Sequence, residues 1–176
     1  MDANSGSVRA TVARAAVLSC AVALAGCAGL GGVRPNYGPV PGSVAFIVEA
    51  LPDAVTRAAS EEVQHAGLQL QYSSAVEGYI ETQWFSLTTR ASSLDPDMHD
   101  LEHTIKVRFF CDPTAGKTRL VAEVVTSYAM DPSRPTREME RMAPEGHPGR
   151  EVLTQILDRL KRRYPTAAGD TVRTVR

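Results

Sequence analysis

Two long runs of alternating side chains, residues 101–111 and 117–130, flank the turn-forming segment Asp112-Pro113-Thr114-Ala115-Gly116. Apolar residues at a period of two, interrupted by proline and glycine, predict an antiparallel hairpin. In the first run Ile105, Val107, Phe109 and Cys111 share a side, and Phe110 projects from the other. In the second, Leu120, Ala122 and Val124 share one side and Val121, Glu123 and Val125 the other. Valine on both sides places this strand centrally, covered on each face.

The remaining elements follow from period and punctuation. Residues 43–50 read as a strand, and Pro52 and Asp53 open a helix over 53–66 in which Val55, Ala58, Ala59, Val63 and Ala66 recur at helical spacing. Gly67 closes it at the position that favours a left-handed backbone. Residues 68–73 and 79–87 form two more strands, with Tyr79, Glu81, Gln83 and Phe85 on one side of the latter and Ile80, Thr82 and Trp84 on the other. The clearest periodicity lies in 149–164, where Leu153, Ile156, Leu157, Leu160 and Tyr164 make one stripe and cations crowd the last turns. The order β-α-β-β-β-β-α predicts an α+β fold, an antiparallel sheet with both helices on one face. The domain spans 43–165, and residues 166–176 are expected to be a disordered tail.

Upstream, Arg9 and Arg14 precede an apolar segment over 15–25 that is too short for a membrane-spanning helix of about 20 residues. It ends in Leu24-Ala25-Gly26-Cys27. This resembles the lipobox of bacterial lipoproteins. The resemblance implies cleavage after Gly26 and acylation of Cys27 on both thiol and amino group, and multiple chains make anchoring durable. With Ala28 after the cysteine, it further implies sorting to the outer membrane, where the periplasmic side is the default face. Residues 27–42, rich in glycine and proline, are expected to be a tether.

Cleavage leaves 150 residues with 17 basic and 19 acidic side chains, a balance in which nothing points to nucleic acid, and no nucleic-acid partner is expected. Cys111 is then the only thiol not assigned to lipid or signal, so no intramolecular disulfide forms, and a buried, inert thiol is the expectation.

No nucleophile elbow, phosphate loop, cofactor motif or cysteine–histidine pairing is present, and the chain reads as a non-enzyme without a cofactor. His99 and His103 are the weak metal candidates: four residues apart, they would share a face on a helix, but a strand beginning at Leu101 splits them. Tyr79, Phe85 and Phe110 are expected to form an apolar patch on the outer sheet face. Arg134, Arg137 and Arg141 sit beside it on the proline-rich loop 131–148, and together these six residues make the candidate partner surface.

The run His65-Ala66-Gly67-Leu68, followed by Val76-Glu77-Gly78-Tyr79-Ile80-Glu81-Thr82-Gln83-Trp84, resembles a pattern in lipoprotein subunits of the outer-membrane protein assembly machinery, of the BamC (NlpB-like) type. That likeness implies a helix-grip domain without catalytic residues, working beside envelope protein partners. The alternative is a periplasmic carrier of a small molecule or lipid, with a cleft between the last helix and the sheet lined by Leu153, Ile156, Leu160, Trp84 and Val124.

Overall fold

The computed structural model describes residues 34–97, 99–129, 131–167 and 173–175. In chain order the elements are β1 (Val44–Val48), α1 (Pro52–His65), β2 (Leu70–Ser74), β3 (Tyr79–Thr82), β4 (Trp84–Ser86), β5 (Ser92–Ser93), β6 (Thr104–Thr114), β7 (Lys117–Ser127), β8 (Glu140–Met142), α2 (Pro148–Arg163) and β9 (Arg173–Thr174). The strands form one antiparallel sheet in the order β2-β3-β6-β7-β1-β9. β4 runs beside β6, β5 beside β4, and β8 beside β7. The α+β architecture read from the sequence is therefore the one observed.

β6 and β7 pair along their full length, from Ile105 opposite Thr126 to Thr114 opposite Lys117. The strand runs three residues past Cys111, and the reversal is confined to Ala115 and Gly116, both at positive φ (46° and 76°). Two positive-φ residues suit the twist of a hairpin, which explains glycine in the second position. At its other end β6 begins at Thr104, because Leu101–His103 form a short 3-10 turn.

Both helices cover one face. Val55, Ala58, Ala59 and Val63 of α1 and Leu153, Ile156, Leu157 and Leu160 of α2 pack with Phe46, Ile80, Ile105, Val107, Phe109, Leu120, Ala122 and Val124 in a single apolar core. Gly67, at φ +84°, ends α1 as expected. The start of α2 lies so near the sheet that a Cβ on Gly149 would stand 2.7 Å from the Ile105 Cγ2 methyl.

Period-two reading fails at two places: between Leu70 and Tyr72 on β2, which pack on opposite faces, and after Glu81 on β3. From Arg108 to Ile105 on β6 is three residues, whereas their partners Glu81 and Phe85 are four apart. The extra residue is a bulge at Gln83, whose N–H turns to the Gln69 carbonyl at 2.9 Å. A bulge flips every later side chain to the opposite face. Phe85 therefore joins the helix-side core, and Trp84 packs with Val40 and Val125 on the other face.

Two boundary expectations are corrected. Residues 34–42 do not hang free as a tether: they lie as a strap across the face the helices leave open, with Val40 buried. Nor is the described part of the tail disordered. Thr166 bridges to Val48, β9 pairs with Val44 and Ala45, and Val175 exchanges backbone hydrogen bonds with Gly42 and Ser43 at 2.8 Å each. An unpaired β1 edge would leave backbone donors and acceptors unsatisfied, and the returning chain satisfies them.

Candidate functional site

Beneath the strap lies a buried ion cluster built from the second-face positions of the central strands. Lys106 and Arg108 sit on β6, Glu123 on β7 directly opposite Arg108, Glu81 on β3, Glu140 on β8, and Arg137 in the 3-10 turn before it. Arg108 Nη1 and Nη2 each donate to Glu140 at 2.7 Å, a bidentate pair, and also reach Glu123 and Glu81 at 3.1 Å each. Lys106 Nζ donates to Glu81 at 2.9 Å. Arg137 Nη1 donates to Glu123 at 2.8 Å and to Glu140 at 3.1 Å. Three cations thus face three carboxylates, and the cluster is neutral.

Glu123, whose side chain is fully buried, fastens the strap. One oxygen accepts from the two arginines, and the other accepts the Val40 N–H at 2.7 Å and the Ser43 hydroxyl at 3.3 Å. Arg137 Nη2 adds a bond to the Gly38 carbonyl at 2.7 Å. The Tyr37 ring lies under both guanidinium groups, 4.4 Å from Arg137 and 5.7 Å from Arg108. At its start the strap is held by Arg34, which pairs with Asp112 at 2.8 Å and with Glu77 through side chain and backbone.

The electrostatics follow from this packing. Burial pushes the Glu81 carboxyl up, but Arg108 and Lys106 beside it reverse the effect and hold it below the usual range. Burial opposes the charge on Arg108 likewise, and the carboxylates, Glu140 foremost, keep it firmly protonated. Tyr79 is pushed far up by burial, so its hydroxyl stays protonated and donates to Glu81 at 2.9 Å. Each charge is spent on another charge or on the strap. Such a cluster can clamp a segment.

The residues proposed as a partner surface are dispersed. Tyr79 and Phe110 are buried under the strap with Ala45 and Val121, their ring centroids 5.2 Å apart, and Arg34 lies over Phe110 at 5.4 Å. Phe85 is in the helix-side core, moved there by the bulge. No exposed aromatic patch exists among these three. Arg137 belongs to the ion cluster, Arg134 pairs on the surface with Glu138 at 3.2 Å, and Arg141 lies over the Tyr128 ring. The cluster itself escaped sequence reasoning, although a signal was present: Lys106, Arg108 and Glu123 interrupt otherwise apolar strands.

His103 bonds to the Asp100 carboxylate at 2.7 Å, which raises its pKa, while His99 lies on the exposed turn. Among the described residues no group of three or more His, Cys, Asp and Glu side chains is disposed to hold a metal ion. Cys111 is buried, and burial pushes its thiol up to about 12. Cys27 lies outside the described residues.

The cleft imagined between α2 and the sheet does not form as read. Leu153, Ile156, Leu160 and Val124 are fully packed, and Trp84 stands on the opposite face. A groove of about 440 Å³ lies instead at the rim, where the end of α1, the segment after β4 and the outer side of α2 meet. Phe85, Leu87 and Val152 line it beside Arg90 and Arg159. Compared with known proteins, the chain matches no family model, and no curated protein is significantly similar to it.

Proposed function

We propose that this chain is a lipid-anchored, non-enzymatic lipoprotein of the outer membrane, periplasmic side, acting as an accessory or scaffold in envelope assembly. The observation that carries this reading is the Leu24-Ala25-Gly26-Cys27 segment placed seven residues ahead of Arg34, where the described fold begins. The neutral ion cluster supports it, because a polar centre consumed in holding its own chain suits a rigid platform. Anchoring keeps such a platform at high effective concentration beside membrane-bound partners.

Mass spectrometry of the native product, with fractionation of Cys27→Ser, tests the anchor. The expected result is an acylated Cys27 and loss of the variant from the membrane fraction; an unmodified polypeptide overturns the reading. Affinity capture of the lipidated protein from detergent-solubilised membranes tests the role, with reproducible envelope proteins expected.

A second reading, a carrier of small anionic amphiphiles, draws on the rim groove. There Arg90 stacks on Phe85 at 5.5 Å and meets no carboxylate among the described residues, and Arg159 reaches Glu62 only at 3.7 Å. Two guanidinium groups against the single lining carboxylate of Glu151, beside Phe85, Leu87 and Val152, suit an amphiphile with an acidic head. Saturable binding of 1-anilinonaphthalene-8-sulfonate, abolished by Arg90→Ala, would favour it over the scaffold.

A further inference from the structure

Resting on the anchor reading, we propose that the domain stands on the bilayer through one end of its sheet, the end carrying Val76 and Leu51. Three successive connections meet at that end: the β2–β3 turn, the β6–β7 turn and the passage from β1 into α1. The strap begins there too, because Arg34 is tied to Glu77 in the first turn and to Asp112 beside the second.

Reach decides which end faces the lipid. From Cys27 to Arg34 is seven residue steps, at most about 25 Å of extended chain. From Asp112, where Arg34 is held, back to Thr104 is already about 27 Å of strand, before the loops beyond Thr104 are added. An upright pose on the far end would therefore hold Arg34 beyond the tether's reach, whereas the Arg34 end can touch the bilayer in which Cys27 is embedded.

Charge distinguishes the two ends, whereas both expose apolar side chains, Leu94 (64%) and Tyr128 (45%) at the far one. Val76 is 97% exposed at the tip of its turn, next to the residue that holds Arg34, and Leu51 is 60% exposed at the start of α1. Charges around them are paired: Arg34 with Asp112, Lys117 with Glu49 at 2.7 Å, and Arg57 with Asp53. Paired charges around apolar tips lower the electrostatic barrier to headgroup contact. At the opposite end Asp95, Asp97, Asp100 and Glu102 fall within eight residues that hold no lysine or arginine. Anionic headgroups repel that end. The consequence is that the loops 87–103 and 128–147, with the cavity lined by Trp84, Thr104 and His99, face away from the membrane toward other partners.

Site-specific labelling tests the orientation in the full lipidated protein. Val76→Cys and Leu94→Cys, the latter 64% exposed at the far end, are each labelled with a nitrobenzoxadiazole thiol reagent. The labelled proteins are placed in 3:1 phosphatidylethanolamine–phosphatidylglycerol vesicles containing spin-labelled lipid. The buried, high-pKa Cys111 and the acylated Cys27 leave the introduced thiol as the reactive one, and the unsubstituted protein checks this. Quenching at least threefold greater at position 76 than at 94 is the expected result. Equal quenching, or more at 94, in protein that floats with the vesicles overturns the orientation and leaves the anchor standing. Failure of the unsubstituted protein to float overturns both.

Discussion

The two faces of one sheet are held by opposite means. The helix-covered face is closed by hydrocarbon from α1 and α2, and the strap-covered face by three cations and three carboxylates set between two small apolar clusters, Tyr79–Phe110–Val121 and Val40–Trp84–Val125. On β6 the two chemistries alternate residue by residue: Ile105, Val107 and Phe109 point one way, Lys106, Arg108 and Phe110 the other. Apolar packing tolerates rough fits and is lost atom by atom. Buried charge is unforgiving, since removing one member strands its partners in a low-dielectric medium. One face is therefore expected to fail gradually and the other abruptly.

The largest effects set these faces against each other. Phe109→Ala is expected to cost about 3–5 kcal/mol through the cavity it leaves, and Arg108→Met about 3–5 kcal/mol through the carboxylates it abandons. Urea denaturation of the pair with Glu140→Leu separates the two causes. On the ionic face the double variant Arg108→Met/Glu140→Leu is expected to lose clearly less than the two single losses together. An additive result would mean that Arg108 acts by packing alone.

Gly149→Ala follows, at about 1–3 kcal/mol, because the new methyl meets Ile105 at the start of α2. Thermal unfolding should show Ala a clear loser there, against the usual preference of helices for alanine over glycine.

Tyr37→Ala is expected to cost about 1–2 kcal/mol by removing the ring beneath two guanidinium groups, and Tyr37→Phe far less. Amide exchange at Val40 should quicken in the first variant and stay slow in the second. Unchanged exchange in both would mean that the backbone bond to Glu123 holds the strap unaided.

The smallest effects come from pH, and their signs follow from the direction of each shift. Glu81 is held below its ordinary value, so its contribution is present above the unfolded carboxylate range and is lost as pH falls through the folded value. Acid should therefore loosen the strap before the helices, visible as earlier loss of Val40 protection. His103, raised by its bond to Asp100, contributes below the ordinary histidine value and loses that contribution as pH rises through its folded value. Its imidazole proton shifts are expected to titrate later than those of a free histidine.

Much of the helix-side core was legible beforehand, from Val55 to Val63 on α1, Leu153 to Leu160 on α2 and Ile105 to Phe109 on β6, because burial on one face imposes a period that sequence displays. The other face leaves no such record in the sequence. Phe110 and Tyr79 do project away from the helices, but what covers them is the glycine- and proline-rich segment 34–42, whose composition resembles a linker. A bulge at Gln83 leaves no mark in the pattern of residue types, so the period alone puts Phe85 on the wrong face. Arg137 was noticed for its charge, while its partners Glu123 and Glu140 lie 14 and 3 residues away on different strands.

By itself the sequence determined the α+β class, the hairpin at the centre and the two helical stripes, because each is a local pattern of period, punctuation or composition. Only the tertiary structure decided that residues 34–42 belong to the fold, that six charges from four strands and a turn neutralise one another, and which end of the sheet holds Arg34. Those are meetings of residues distant in the chain, and no local pattern records which distant partner a buried charge will find.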